Sequence, residues 1–145
     1  LFRIISPEKA FFGEKDLQQL QIIKYISKQL QIPIEIIGIP TKREESGLAM
    51  SSRNKLLSET GIQKATLIYQ TLKYIKENSD NFTVDQLKKI AIEKFSHQTD
   101  VNLEYLEIVS LEKLQPISEF KDANENAACI AASISSVRLI DNIIF

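Results

Sequence analysis

Two short segments hold the residues best suited to chemistry. The first is Phe12-Gly13-Glu14-Lys15-Asp16-Leu17-Gln18-Gln19, where an apolar run ends at a glycine and a charged stretch begins. Lys15 lies four residues before Gln19 and Asp16 three before it, so on a helix all three side chains share one face. A cation, a carboxylate and an amide converging there could hold a phosphate, a sugar hydroxyl and a small polar substrate. An ordinary solvated first turn of a helix accounts for the same spacing. The second segment, Met50-Ser51-Ser52-Arg53-Asn54, offers two hydroxyls, a guanidinium and several backbone amides within five residues. Such a cluster suits a cage for anionic oxygens, because arginine grips phosphate bidentately. Gly47, just upstream, would let the loop flex over a ligand. A helix-capping loop with a surface arginine is the competing reading.

The elements that must position these segments follow from the pattern of apolar residues. Ala10-Phe11-Phe12 is a short apolar run ended by Gly13 and predicts a strand. Glu14–Leu30 carries Leu20, Ile23, Ile26 and Leu30 at helical spacing and acidic residues in its first turn, so it predicts a helix. Ile34–Gly38, just after Pro33, is a β-branched run of the kind found in strands buried on both faces. Strand, helix and strand in this order make a βαβ unit with a parallel pair. In open α/β sheets ligands bind outside the carboxyl ends of strands and at helix N-termini, which is where residues 12–19 fall. Two strands are too few for a stable parallel sheet, so its remaining strands are expected outside this sequence.

Residues 41–54 read as a polar loop. Ser58 is a candidate N-cap for a helix with Ile62, Ala65, Ile68, Leu72 and Ile75 on one face. Thr83 is a candidate cap for a second, bearing Val84, Leu87, Ile90, Ala91 and Phe95. Residues 101–105 alternate as a half-buried strand, and the phase slips at Tyr105-Leu106, where a β-bulge fits. Ala127–Ile134 and Val137–Phe145 read as further strands. The expected fold is therefore α/β plus α+β, with residues 1–40 as one part and residues 41–145 as two helices on a small antiparallel sheet.

Composition narrows the function. The 145 residues include 18 Lys+Arg and 19 Asp+Glu, a net charge of −1, which argues against a nucleic-acid-binding surface as the main purpose. One cysteine, Cys129, excludes an internal disulfide framework or a cysteine-rich zinc module, and it reads as a small core residue. No apolar run approaches the roughly 18–20 residues that span a bilayer, and no cleavable signal pattern is present, so a cytoplasmic, non-membrane protein is the default. Lys42-Arg43-Glu44-Glu45 reads as a solvated face, and His97, near a helix end, as structural. A chain that starts at Leu1 reads as a fragment.

Taken together, Phe12–Asp16 with Gln18-Gln19-Leu20, Ile39-Pro40-Thr41, Arg43-Glu44 and Gly47–Asn54, then Arg138-Leu139-Ile140-Asp141-Asn142, closely resemble the pantothenate synthetase (pantoate–β-alanine ligase) family. The resemblance covers the chain but only the second, C-terminal half of the family's usual length. It implies that residues 1–40 end a Rossmann-like nucleotide-binding domain and that residues 41–145 form the small C-terminal lid domain. It also implies the reaction: pantoate's carboxylate attacks the α-phosphorus of ATP with Mg²⁺, and the amine of β-alanine then displaces AMP. By motif position, Lys15 would contact the ATP phosphates, Gly13 and Asp16 the ribose, and Gln19 pantoate. Ser51, Ser52 and Arg53 would grip phosphate, while backbone near Lys42, with Met50, would frame the adenine. No enzyme nucleophile and no protein-held metal site are implied, and a homodimer is expected of the complete protein. The family's His-x-Gly-His segment is absent here, since the one histidine is His97. The alternative expectation is a non-catalytic, self-folding α+β interaction or lid module.

Overall fold

The computed structural model describes residues Leu1–Phe145, and the chain divides into two compact units, Leu1–Thr41 and Lys42–Phe145. The first opens with a single helical turn, α1 (Phe2–Ile5), followed by β1 (Lys9–Gly13), α2 (Leu17–Gln29) and β2 (Glu35–Ile39). β1 and β2 pair in parallel, Phe11 beside Ile37 and Phe12 beside Gly38. The expected βαβ unit therefore forms, with two corrections. The helix does not run from Glu14: residues Glu14–Asp16 make a 3₁₀ turn and the α-helix begins at Leu17. Nor are the strands buried on both faces, since β2 is at most half-buried and Phe11 is 62% exposed. Leu17 and Leu20 of α2 are buried, and Leu20 packs so closely that a Cβ at Gly38 would stand 3.1 Å from its Cδ2. A helix on a two-stranded sheet covers too little of it to bury the rest.

In the second unit, α3 (Glu59–Asn78) starts where Ser58 Oγ accepts the Gly61 amide, and α4 (Val84–Ser96) where Thr83 and Gln86 close a capping box. The predicted face of α3 is buried at Ala65, Ile68, Leu72 and Ile75, all at most 1% exposed, whereas Ile62 lies at its margin at 38%. On α4, Val84, Leu87, Ala91 and Phe95 are buried. These two faces pack on an antiparallel sheet ordered β3 (Val101–Ser110), β4 (Asn126–Ile134), β5 (Val137–Ile144). β4 is the central strand and its Ala127–Ala132 run is buried; Ala128, Ile130 and Ala132 join the core with the helices. Small alanines there let the helices approach closely.

The β-bulge sits at Glu104, between Leu103 and Tyr105, slightly ahead of the position read from the phase slip. The extra residue turns the Glu104 carboxylate toward β4 and β5, where it accepts from Ser133 Oγ and Arg138 Nε, both at 2.6 Å. The Ser133 hydroxyl, then the Arg138 guanidinium, holds that carboxyl below its usual range. Cys129 is buried on β4, and burial, with the nearby Asp141 and Glu107 carboxylates, pushes its thiol up to about 11, so it stays protonated and inert. His97 is the exposed C-cap of α4. No helix is long and apolar enough to cross a membrane.

Candidate functional site

The two candidate segments lie in different units, and each has its own local geometry. In the first unit, Gly13 closes β1 and the 3₁₀ turn carries Lys15 and Asp16 directly into the first turn of α2, where Gln19 lies. The chain thus brings Gly13, Lys15, Asp16 and Gln19 to the carboxyl end of a parallel strand. The turn breaks the regular i, i+4 helical relation assumed for Lys15 and Gln19. Asp16 and Gln19 are exposed and Lys15 is half-buried. Gly13 has an ordinary extended backbone, φ −67 and ψ 130, and a Cβ there would meet nothing within 4 Å. Neither conformation nor packing inside the chain requires glycine at that position.

In the second unit, residues Lys42–Met50, read from sequence as part of a polar loop, form a short hairpin. The Met50 amide donates to Lys42 O and the Glu44 amide to Leu48 O, both at 2.9 Å, and Arg43 bridges Ala49 across it. The tip is tight: the Gly47 amide donates to Glu44 O, and Gly47 takes φ +87. Leu48 is buried in the core of the unit, which fixes the hairpin from below.

Beyond the hairpin, Ser51 caps a 3₁₀ helix (Ser52–Leu56), its Oγ accepting the Arg53 amide at 3.2 Å. Asn54 Nδ2 donates to Ala49 O at 3.0 Å, closing the segment on itself. Arg53 is exposed and spends one donor, Nη1, on Arg138 O at 3.1 Å. The rest of its fork is open to an anion. Met50 is 40% exposed beside the Lys42 carbonyl, and Ser52 is exposed. Lys42, Met50, Ser51, Ser52 and Arg53 are therefore gathered on one segment, with Ser52 and Arg53 exposed and Ser51 half-buried, its Oγ turned to the Arg53 amide. No group of three or more His, Cys, Asp or Glu is placed to hold a metal ion.

Residues 1–144 match the family model described as pantoate-beta-alanine ligase. The chain belongs to that family. A pantothenate synthetase from Cytophaga hutchinsonii is 44% identical over 146 residues, covering 99% of this chain and 52% of the relative. Among solved structures, pantothenate synthetase from Thermus thermophilus is similar at TM-score 0.90 and 35% identity, over 98% of this chain and 51% of that one. A pantoate-beta-alanine ligase from Francisella tularensis, complexed with beta-gamma ATP and beta-alanine, is similar at TM-score 0.65 and 33% identity, over 99% of this chain and 46% of that one. The chain spans about half the length of these pantoate–β-alanine ligases, corresponding to their C-terminal half.

The residue of this family segment that sequence reasoning missed is Arg43. It is not part of a solvated face. Its guanidinium forks onto Asp141 of β5, Nη1 to Oδ2 at 2.6 Å and Nη2 to Oδ1 at 3.1 Å. The same two nitrogens also donate to Gly47 O at 3.1 Å and Asn142 O at 3.2 Å. The cation lies 4.0 Å from the centroid of the Tyr69 ring on α3. The side chains of Arg43 and Asp141 are only 19% and 3% exposed. Removing one partner of such a pair strands a buried charge, at roughly 3–5 kcal/mol. Gly47 is held in this structure: its carbonyl accepts from Arg43, and the Tyr69 ring lies against it.

Gly47 yields a direct prediction. A Cβ there would stand 2.3 Å from Tyr69 Cδ1, on a backbone with φ +87. Gly47→Ala is expected to destabilise the protein by about 2 kcal/mol or more, from left-handed strain plus displacement of the ring. Urea denaturation measures this, and a loss below about 0.5 kcal/mol would mean the tip adjusts freely.

Proposed function

We propose that the chain is the C-terminal portion of an enzyme that condenses pantoate with β-alanine using ATP. The family match across residues 1–144 carries this reading, and the outward-facing donors of Met50–Arg53 fit it. In the first step a pantoate carboxylate oxygen bonds to the α-phosphorus of ATP, the bond to the bridging oxygen breaks, and pyrophosphate leaves. In the second, the β-alanine amine attacks the pantoyl carbonyl carbon, the carbon–oxygen bond breaks and AMP departs with its oxygen. The amine loses a proton as the amide forms. Neither step needs an enzyme nucleophile, so rate must come from positioning and from stabilising charge on phosphate.

In this reading residues 1–40 close a Rossmann-like nucleotide-binding domain and residues 41–145 are its lid domain. Lys15 meets the phosphates as charge develops, while Gly13 and Asp16 hold the ribose. The absent Cβ at Gly13 suits a close approach from outside the chain. Gln19 donates to pantoate. Ser51, Ser52 and Arg53 grip phosphate, and Met50 with the Lys42 backbone frames the adenine, two groups that the Lys42–Met50 hydrogen bond keeps adjacent. Mg²⁺ is read as entering with the ATP phosphates. The complete protein is read as a cytoplasmic homodimer. Pantoate labelled with ¹⁸O in its carboxylate tests the chemistry: the complete protein should transfer one label into AMP. Label in inorganic phosphate instead would exclude an adenylate.

A second reading, a non-catalytic self-folding module, draws on the separate core of residues Lys42–Phe145. The two readings meet in one prediction. The 145-residue chain alone should form no detectable pantothenate from ATP, pantoate and β-alanine, and product formation would contradict the expected inactivity. Calorimetric titration with ATP separates them, since only the ligase portion should bind nucleotide.

A further inference from the structure

We propose that Arg43 and Asp141 are the positioning pair of the Met50–Arg53 segment, a fork that fixes this segment's place on β5. The inference rests on the ATP reading above. The residues in question touch no substrate; they act through the hairpin. Arg43 stands next to the Lys42–Met50 hydrogen bond, so anything that holds Arg43 holds the start of the phosphate-gripping segment. It is held from three sides, by the Asp141 carboxylate, by the carbonyls of Asn142 and Gly47, and by the Tyr69 ring. At the far end, Arg53 is tied to Arg138 O. Both ends of the segment are thus pinned to one strand, at residues 138 and 141–142, about 10–13 Å apart along β5. That strand is itself laddered to β4 over Ile134–Ala127, the most buried part of the sheet. Between the pins, Leu48 and Ala49 are buried and Asn54 holds Ala49 O. Little freedom remains for Ser51 and Ser52.

The chemistry of the pair explains why charge is used there. Apolar side chains of the same volume would hold the hairpin about as firmly, but without direction. A planar guanidinium on a carboxylate admits one register and one rotation. Asp141 is oriented in turn, since its Oδ1 accepts the Asn142 amide at 2.8 Å. Such preorganisation matters when donors must meet phosphate oxygens at fixed places, because a displacement of about 1 Å can cost about 10²-fold in rate.

The test compares the double variant Arg43→Met/Asp141→Leu with Arg43→Lys, both in the complete protein. The double variant removes both charges together and keeps bulk, so thermal unfolding should shift by no more than about 3 °C. kcat should nonetheless fall about 10²-fold, with KM for β-alanine unchanged, and amide hydrogen exchange over residues 49–54 should quicken while β4 stays protected. Arg43→Lys should show the same loss, because one ammonium cannot make the fork. Full kcat with unchanged exchange in either variant overturns the proposal. So does a kcat that falls only in proportion to the unfolded fraction, which would mark the pair as structural alone. Should the wild-type protein form no pantothenate, the ATP reading fails instead, and the exchange data still decide whether the pair fixes the segment.

Discussion

Arg53→Ala in the complete protein is expected to lower the rate of pantothenate formation by about 10²–10³, the loss typical of one transition-state donor. Arg53 is exposed, and the bond it makes within the chain uses only Nη1. That bond, to Arg138 O, aims the fork and leaves most of its donors for an anion. The amide of Arg53 is occupied by Ser51 Oγ, so backbone and side chain are both set before a ligand arrives. Because the side chain packs against nothing in a core, Arg53→Ala should leave unfolding nearly unchanged, within about 0.5 kcal/mol. Steady-state assays beside urea denaturation separate the two effects. A rate within twofold of wild type would mean that Arg53 does not grip phosphate.

Lys15→Met is the second large effect, again about 10²–10³ in kcat. Lys15 sits on the 3₁₀ turn between β1 and α2, half-buried, at the end of a parallel strand. If its charge serves the developing negative charge on phosphate, kcat should fall far more than KM for ATP rises. Lys15→Arg should not restore the rate, because a planar fork does not replace a compact point charge. An effect confined to KM would assign Lys15 to ground-state binding of ATP and remove it from the transition state.

Much of the scaffold around these residues is legible without coordinates, and the parts that are not share a cause. Ser58 and Thr83 announce their helices because an N-cap is a local event, a hydroxyl accepting an amide three residues on. The buried faces of α3 and α4 follow from helical periodicity, and the strands β4 and β5 from apolar runs. The 3₁₀ turn at Glu14–Asp16 reads as helix because acidic residues favour either helical start, and the difference is a single hydrogen-bond step. Arg43 misleads for a deeper reason. Within Lys42-Arg43-Glu44-Glu45 every neighbour is polar, and the partner that buries it, Asp141, lies 98 positions away. Local pattern assigns the loop to solvent, and tertiary charge pairing reverses the assignment. Gly47 is the companion case. A glycine near a polar loop suggests mobility, and spacing gives no sign that a Tyr69 ring also leaves no room there for a Cβ.

Of the candidate site, the identities of Lys15, Gln19 and Ser51–Arg53 stand out from motif order, but their presentation does not. Spacing could not reveal that Met50–Arg53 rides on a hairpin pinned at both ends to β5. Local sequence carries residue chemistry well and carries long-range orientation poorly, which is why the pair that sets the orientation stays hidden in it.

In the proposed ATP reading, Lys15 and the Ser51–Arg53 turn each contribute a donor to the triphosphate. The decisive experiment is a crystal structure of the complete protein with a non-hydrolysable ATP analogue. Lys15 Nζ and at least one donor from Ser51, Ser52 or Arg53 are expected within about 3.2 Å of phosphate oxygens. Nucleotide bound with both groups turned away from its phosphates would contradict that reading.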